Sequence, residues 1–448
     1  MRALFFSPGE RTCNSHDVTS PSHTAVAVGE LVSGMPGLKA LPRNRSANKE
    51  LADAIAAAAL IDNLNIESLD DVTDEQLTVQ DRTQLDLSGL QLLRPIGVGG
   101  QAGVWLAEDQ SSGVRCAVKQ VRKGRLAALP RKSAMRVFTE KECLEECKHP
   151  FVTRLFGTFQ DGASLYFCLE LVRGGDLFGL IDLFPNGLQE MHARFYTATI
   201  ALALRHIHSR GYVYRDVKLE NVLIGSDGYV KLCDFGFAKA VSNNRTFTKC
   251  GTDEYAPPEV VSGHGRSTAA DWWGLGILLH EMLTGRPPFE GHSAQDIFDR
   301  IEAYTRGGEE AAQQLAMQLQ LANRVKRSAE ALSPSAGEFM IGLLRARESE
   351  RIGCGPEGFI AIQRDPWFAS LDWAALLRKQ VEPPWVPPST PDGAAASDAE
   401  FSTEGVMRAV PFDANVWAPI FDAFGPTLPS PILPLDVGAT PSTRDAIH

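Results

Sequence analysis

A two-lobed α+β fold, with a small sheet-rich lobe leading into a larger helical lobe, is what the order of residue types predicts. Residues 90 to about 170 read as short apolar strands with one helix, from about Ser133 to Lys148. Residues 176 to about 370 read as mainly helical, with a few short strands. Strands grouped ahead of helices segregate into separate layers, which implies a cleft between the two. The third observation is a polar stretch, Tyr214-Arg215-Asp216-Val217-Lys218-Leu219-Glu220-Asn221, between the strand-like runs Gly211-Tyr212-Val213 and Val222-Leu223-Ile224. Strands on both sides hold its charged side chains at fixed offsets.

The 448 residues suit one large bilobal unit with extensions, and 44% hydrophobic content is enough for a sizeable core. A formal net charge of -11 argues against nucleic-acid binding as the main role. The eight Cys are scattered without paired CxxC sets. Cys143 and Cys147 share a predicted helix, but nothing completes a tetrahedral zinc site, so ordinary reduced thiols are expected. Leu4-Phe5-Phe6 is too short for a signal-peptide core, and Ala54 to Leu60 is too short to span a bilayer. Arg2 stands where N-myristoylation needs a glycine. The expectation is a cytoplasmic protein, with the nucleus as the alternative, and without a membrane span.

In chain order, residues 1–89 are expected to be a largely disordered extension: 1 to about 47 are rich in Ser, Pro, Gly and Asn, and a helix follows from Lys49 to about Leu64, capped by Asn48. An acidic link, Asp70 to Asp86, leads to a first strand near Leu90 to Ile96. The bilobal domain is expected over 90–368, with an Ala-, Gln- and Glu-rich insertion from Thr305 to Ser333. A tail covers 369–424, and 425–448 is expected to be a disordered end. From Val381 the tail is rich in Pro, Ser and Ala. It cannot form a core alone, and either wraps over the lobes or stays loose.

The chemistry resides in four stretches. Gly97-Val98-Gly99-Gly100-Gln101-Ala102-Gly103-Val104 follows the first strand, and its glycines let backbone amides approach phosphates closely. Lys119, in Ala117-Val118-Lys119, falls on a strand downstream of that hairpin, placed to reach the phosphates of a nucleotide. It needs a helix-borne carboxylate to hold it. Glu140 is the choice over Glu142, Glu145 and Glu146, because Leu144 four residues on packs inward on the same face. In the polar stretch, Asp216 suits orienting a hydroxyl nucleophile, Lys218 balances charge on a moving phosphoryl group, and Asn221 reaches Mg2+. Asp234-Phe235-Gly236 follows a strand from Tyr229 to Cys233, and Asp234 would bridge phosphates through Mg2+ while Asn221 holds a second ion. ATP and Mg2+ are the expected cofactor pair.

With these parts in order, the chain resembles protein kinases over roughly residues 90 to 424. The resemblance is to the AGC group of serine/threonine kinases, which includes the cyclic-nucleotide-dependent kinases. Asp234 to Lys239, Arg194 to Ala198 and the opening at Gly97 are most similar to cyclic-GMP-dependent kinases, as is the tract Trp367 to Pro387. The resemblance implies a kinase fold with one regulatory helix in the small lobe and a C-terminal tail wrapping that lobe. Adenine would sit between Val104 and Ala117 above and Leu223 below. Its edge would face backbone at Glu170 and Val172, with Leu169 at the back and Asp176 near the ribose. Thr248 resembles an activation-loop phosphorylation site whose phosphate would pair with Arg215, with Lys239 as a second partner. Thr252 resembles the residue that hydrogen-bonds Asp216 and Lys218. Glu259 would pair with Arg351, and Asp271 would anchor the catalytic loop from behind. Glu220, Glu281, Asp176 and Glu254 match carboxylates that hold Arg residues of protein substrates. Phe421 and Phe424 resemble a hydrophobic motif that clips the tail to the small lobe, with Trp417 adding to the anchor.

Several positions depart from the family's pattern. Ala102 replaces the third glycine, Leu219 stands where Pro is commoner, and Gly425 follows the aromatic pair instead of Ser or Thr. Pro257 replaces the Ala before Pro258-Glu259. Lys249, Asp253 and Ala256 border the pocket for the residue after the acceptor, so the usual apolar preference there is not implied. About 89 residues precede the first kinase strand, too few for a cyclic-nucleotide-binding barrel. The resemblance then implies either a separate regulatory chain, as for a cyclic-AMP-dependent catalytic subunit, or a shortened product. Arg43-Asn44-Arg45-Ser46 resembles a basic substrate, so the N-terminal arm either occupies its own cleft or is a loose tail. A catalytically inactive scaffold is the competing class; retention of Lys119, Glu140, Asp216, Lys218, Asn221 and Asp234 argues for the enzyme.

Overall fold

In a computed structural model, the described residues are 85–99, 102–241, 245–246, 251–325, 332–388 and 410–428. The expected helix over 49–64, the acidic link as far as residue 84, Arg43 to Ser46, and Gly100, Gln101, Thr248 and Lys249 lie outside them.

The small lobe is an antiparallel sheet of β1 (Leu90–Val98), β2 (Ala102–Asp109), β3 (Arg115–Arg122), β4 (Leu155–Gln160) and β5 (Ser164–Leu169), in the order β1-β2-β3-β5-β4. Inward-facing Leu90, Leu92, Trp105, Cys116, Val118 and Cys168 pack with Phe159 and Tyr166 on one face. The register sets Val104 opposite Lys119 and Ala117 opposite Leu169, so residues from three strands line one end of the sheet. Three helical pieces follow β3 where the sequence predicts one: α1 (Lys123–Ala127), α2 (Arg131–Ala134) and α3 (Arg136–Glu146). Pro130, just ahead of α2, cannot donate a backbone hydrogen bond, which separates the first two pieces. On α3, Val137, Glu140, Cys143 and Leu144 are buried.

The helical lobe comprises α4 (Leu177–Asp182), α5 (Glu190–Ser209), α6 (Pro258–Val261), α7 (Ala269–Thr284), α8 (Ala294–Val325), α9 (Pro334–Leu343), α10 (Phe359–Gln363) and α11 (Trp373–Leu377). Helix α7 is buried along nearly its whole length and ends at Gly285, whose φ of 83° gives the left-handed exit that glycine favours. Short strands Tyr212–Val213, Val222–Ile224, Val230–Leu232 and Lys239–Ala240 form two antiparallel pairs that carry the polar loop. The insertion is helical at its start: α8 runs from 294 to 325 with a break at Gly308, where φ is 56° and ψ is -131°.

Glu259 and Arg351 form a buried two-pronged ion pair, with Arg351 Nη1 and Nη2 each 3.0 Å from a carboxylate oxygen. Asp271 accepts the backbone N–H of Tyr214 at 2.9 Å and of Arg215 at 2.7 Å, so the polar loop hangs from the first turn of α7.

The tail wraps. Residues 410–428 include α12 (Ala414–Phe421), and Phe421 and Phe424 are buried against the small lobe. Phe424 sits edge-on between Phe138 of α3 and Phe167 of β5, at centroid distances of 5.8 and 5.0 Å. Trp417 stacks on Phe421 at 5.3 Å. The ordered segment continues past Phe424, where a loose end was expected. Gln160 N–H donates to Pro426 C=O, and Leu428 N–H donates to Gln160 C=O, extending the sheet beside β4. β4 is an edge strand, and its backbone groups are better satisfied by a partner than left exposed. Gly425 is required by this route, because a Cβ there would lie 2.5 Å from the Thr158 carbonyl oxygen.

Candidate active site

Lys119 is the centre of the small-lobe half of the site. Its Nζ lies 2.5 Å from Glu140 Oε1 and 3.0 Å from Asp234 Oδ1. Burial works against its charge, yet the Asp234 and Glu140 carboxylates hold its pKa above the ordinary range. Asp234 is held below the usual carboxylate range, chiefly by the Lys119 charge. Its carboxylate is half-exposed, and its backbone φ of 52° is the left-handed conformation that turns it toward the cleft. Phe235 behind it is fully buried edge-on to Tyr214, with centroids 5.2 Å apart.

In the helical-lobe half, Asp216 Oδ2 accepts from Asn221 Nδ2 at 2.6 Å and pairs with Lys218 Nζ at 3.0 Å. Burial raises the Asp216 pKa, and the Lys218 ammonium opposes that rise. Two residues of the same loop thus hold one carboxylate. Thr252 lies in the same cleft, but the Asp216 contacts go to Asn221 and Lys218 instead of Thr252. The loop's own side chains, at offsets of two and five, reach the carboxylate first.

The expected nucleotide slot is assembled from both lobes. Val104, Leu169, Val172 and Leu223 are only partly buried, unlike most aliphatic residues around them, and Ala117 lies deeper. Gly99 N–H closes the hairpin tip onto Ala102 C=O at 2.8 Å, and Gly97 and Gly103 flank it in the β1–β2 ladder beside Val98. Asp176 caps α4 by accepting Gly179 N–H at 2.7 Å and bridges to Leu223. Glu170 is held by Lys231 Nζ at 2.6 Å, a hinge contact with no sequence signal ahead of the fold. The donor set fits hard cations: Asn221 directs its amide nitrogen to Asp216, leaving its carbonyl oxygen for a metal, and Asp234 is an ionised oxygen donor. Among the described residues no cluster of three or more His, Cys, Asp or Glu offers another metal site.

The carboxylates expected to meet substrate arginines divide by environment. Glu220 is exposed, whereas Glu254 and Glu281 are half-buried. Glu281 accepts a hydrogen bond from Tyr255 Oη. Burial, reinforced by the charges of Glu220, Glu254 and Glu290, pushes its pKa up to about 7. The Arg215 guanidinium, expected to face Thr248, donates to Phe237 C=O at 2.6 Å and to Thr246 Oγ1 at 3.1 Å. Thr246 and the buried Arg266 escaped sequence reasoning, since isolated polar residues in a turn-like run give no sign that they will be buried.

No helix among the described residues is long and apolar enough to cross a membrane. The protein kinase domain family model matches residues 90–368. The chain is 37% identical over 306 residues to a cAMP-dependent protein kinase catalytic subunit of Arthrobotrys oligospora, covering 67% of this chain and 54% of that protein. It is 33% identical over 326 residues to a cAMP-dependent protein kinase, catalytic subunit-like, of Caenorhabditis elegans, covering 72% and 76%. It is 32% identical over 378 residues to the serine/threonine-protein kinase AtPK2/AtPK19 of Arabidopsis thaliana, covering 83% and 74%. The chain thus spans about half the length of the fungal relative. With Lys119 paired to both Glu140 and Asp234 and the Asp216 loop assembled, the chain belongs to the protein kinase family, among the AGC-type serine/threonine kinases, whose members use ATP and Mg2+.

Proposed function

We propose that this chain transfers the γ-phosphoryl group of ATP to Ser or Thr hydroxyls in protein segments carrying Arg two and three residues upstream. The observation that carries the reading is the Lys119 bridge to both Glu140 and Asp234, formed together with the Asp216–Lys218–Asn221 cluster. Asp216 accepts the hydroxyl proton, and Lys218 neutralises charge on the transferred group. Mg2+ held at Asn221 and Asp234 would draw charge from the phosphate oxygens. Incubation with Mg-ATP and an Arg-Arg-x-Ser peptide tests the reading, and a peptide with both arginines replaced tests the substrate class.

Glu220, Glu254, Glu281 and Asp176 support the arginine preference, since charge-assisted pairs with guanidinium are strong and directional. Glu281 makes that preference pH-dependent. An arginine binds its ionised form, which predominates above pH about 7. The KM for an Arg-Arg-x-Ser peptide should therefore fall as pH rises from 6 to 8, by about tenfold at most, the rise in ionised fraction of a group with pKa about 7. In Glu281→Gln that dependence should vanish; a parental pH profile in the variant would sink the assignment.

Kinship with cyclic-GMP-dependent kinases rests on Asp234 to Lys239 and Arg194 to Ala198, and a separate regulatory chain suits such a catalytic unit. Phosphorylation of Thr248 would place about two negative charges near Arg215. Thr248→Ala is expected to lower turnover severalfold, and unchanged turnover would exclude control at that site. Lys249, Asp253 and Ala256 stand at positions that border the family's pocket for the residue after the acceptor, so a peptide library should show no strong preference for large apolar residues there.

A further inference from the structure

We propose that Arg266 is a positioning residue for Asp216, closing a three-membered clasp with Thr246 and Arg215; the inference rests on the kinase reading only for its link to catalysis. All three residues are buried. Thr246 N–H donates to Arg266 C=O and Arg266 N–H donates to Thr246 C=O, both at 2.7 Å, in an isolated antiparallel bridge. The Arg266 side chain turns back, and its Nη1 donates to Arg215 C=O at 2.9 Å. Arg215 Nη1 completes the ring by donating to Thr246 Oγ1 at 3.1 Å.

The contact falls at a strained point. Arg215 has φ of 70°, a left-handed conformation unusual for a side chain with a Cβ. Such a conformation persists only where neighbours over-determine it. Asp271 grips its N–H at 2.7 Å, and Arg266 grips its C=O. That carbonyl belongs to the peptide joining Arg215 to Asp216, so rotation of this peptide displaces the Asp216 carboxylate. Gly251 closes over the same place: a Cβ there would sit 3.1 Å from Arg215 O and 3.2 Å from Arg266 Nη1. Gly251 is thereby packed onto the clasp. Local catalytic geometry then depends on a residue that touches neither nucleotide nor substrate. Displacements of about 1 Å at such a site cost up to about a hundredfold in rate.

Arg266→Met keeps an unbranched apolar stem but removes the Nη1 donor that reaches Arg215 C=O; Arg266→Lys restores one donor. Two measurements test the clasp on the full chain. Hydrogen exchange across residues 212–223 should speed about tenfold or more in Arg266→Met, with Glu190–Ser209 unchanged, and should return toward the parent in Arg266→Lys. In steady state, kcat per folded enzyme should fall about 10- to 100-fold in Arg266→Met with KM for ATP little changed, and recover in Arg266→Lys. Parental exchange over 212–223, or a uniform rise in exchange across the helical lobe, overturns the clasp. Faster exchange with parental kcat overturns the positioning of Asp216. A parental chain without phosphoryl transfer would refute the kinase reading, and the exchange measurement would still decide the clasp.

Discussion

Replacing Asp216 with Asn lowers phosphoryl transfer to an Arg-Arg-x-Ser peptide by about two to four orders of magnitude, the range expected for losing a positioned general base. The substitution is nearly isosteric, so the loop is expected to keep its shape and thermal stability. Asn removes the charge that pairs with Lys218 at 3.0 Å and the oxygen proposed to take the hydroxyl proton. Burial raises the Asp216 pKa in the parent. The acid limb of kcat at saturating peptide should therefore be shifted upward from that of an ordinary carboxylate and disappear in the variant. Measuring kcat against pH for both proteins checks this, apart from the Glu281 effect on KM. Parental turnover in Asp216→Asn would remove Asp216 from the reacting hydroxyl and favour another proton acceptor.

Truncating both tail aromatics, Phe421→Ala with Phe424→Ala, lowers thermal stability and activity together. A buried Phe→Ala change costs about 3–5 kcal/mol, but the pair will cost less than twice that. Once the anchors are lost, the tail can undock as a local unit, and undocking caps the penalty. Activity suffers because the docked aromatic supports the nucleotide site. Phe424 packs on Phe138, two residues before Glu140, and on Phe167, whose ring lies 5.8 Å from Lys119 Nζ. Lys141 Nζ also donates to Phe424 C=O at 2.8 Å, tying α3 to the tail on the other side of Glu140. Calorimetry together with KM for ATP checks the pair; parental melting and parental kinetics would mean that the tail is a passenger.

How much of the site was legible follows from how far apart its parts lie. Asp216, Lys218 and Asn221 share one loop, so their spacing alone announces a cluster. Glu140 is singled out from four glutamates by helical periodicity, and the fold buries it while Glu142, Glu145 and Glu146 stay exposed. Its contact with Lys119 spans 21 residues, yet one strand and one helix suffice to define the faces involved. The three short helical pieces were less legible, because a Pro-separated turn and a helix start differ by few residues. Arg266 and the Lys231–Glu170 pair gave no sign, since their partners come from distant segments and their burial depends on how those segments close.

Chemistry was thus determined by the sequence alone: the order of glycine hairpin, Lys119, Glu140, Asp216 and Asp234 follows local periodicity and fixed offsets. Tertiary structure alone decided which charges are pushed from their ordinary range. It seats Gly425 and Pro426 to Leu428 on the edge of β4, presses Glu281 against Tyr255, and brings Arg266 to the carbonyl before Asp216. Burial and electrostatic coupling depend on groups far apart in sequence, and only the closed fold sets their distances.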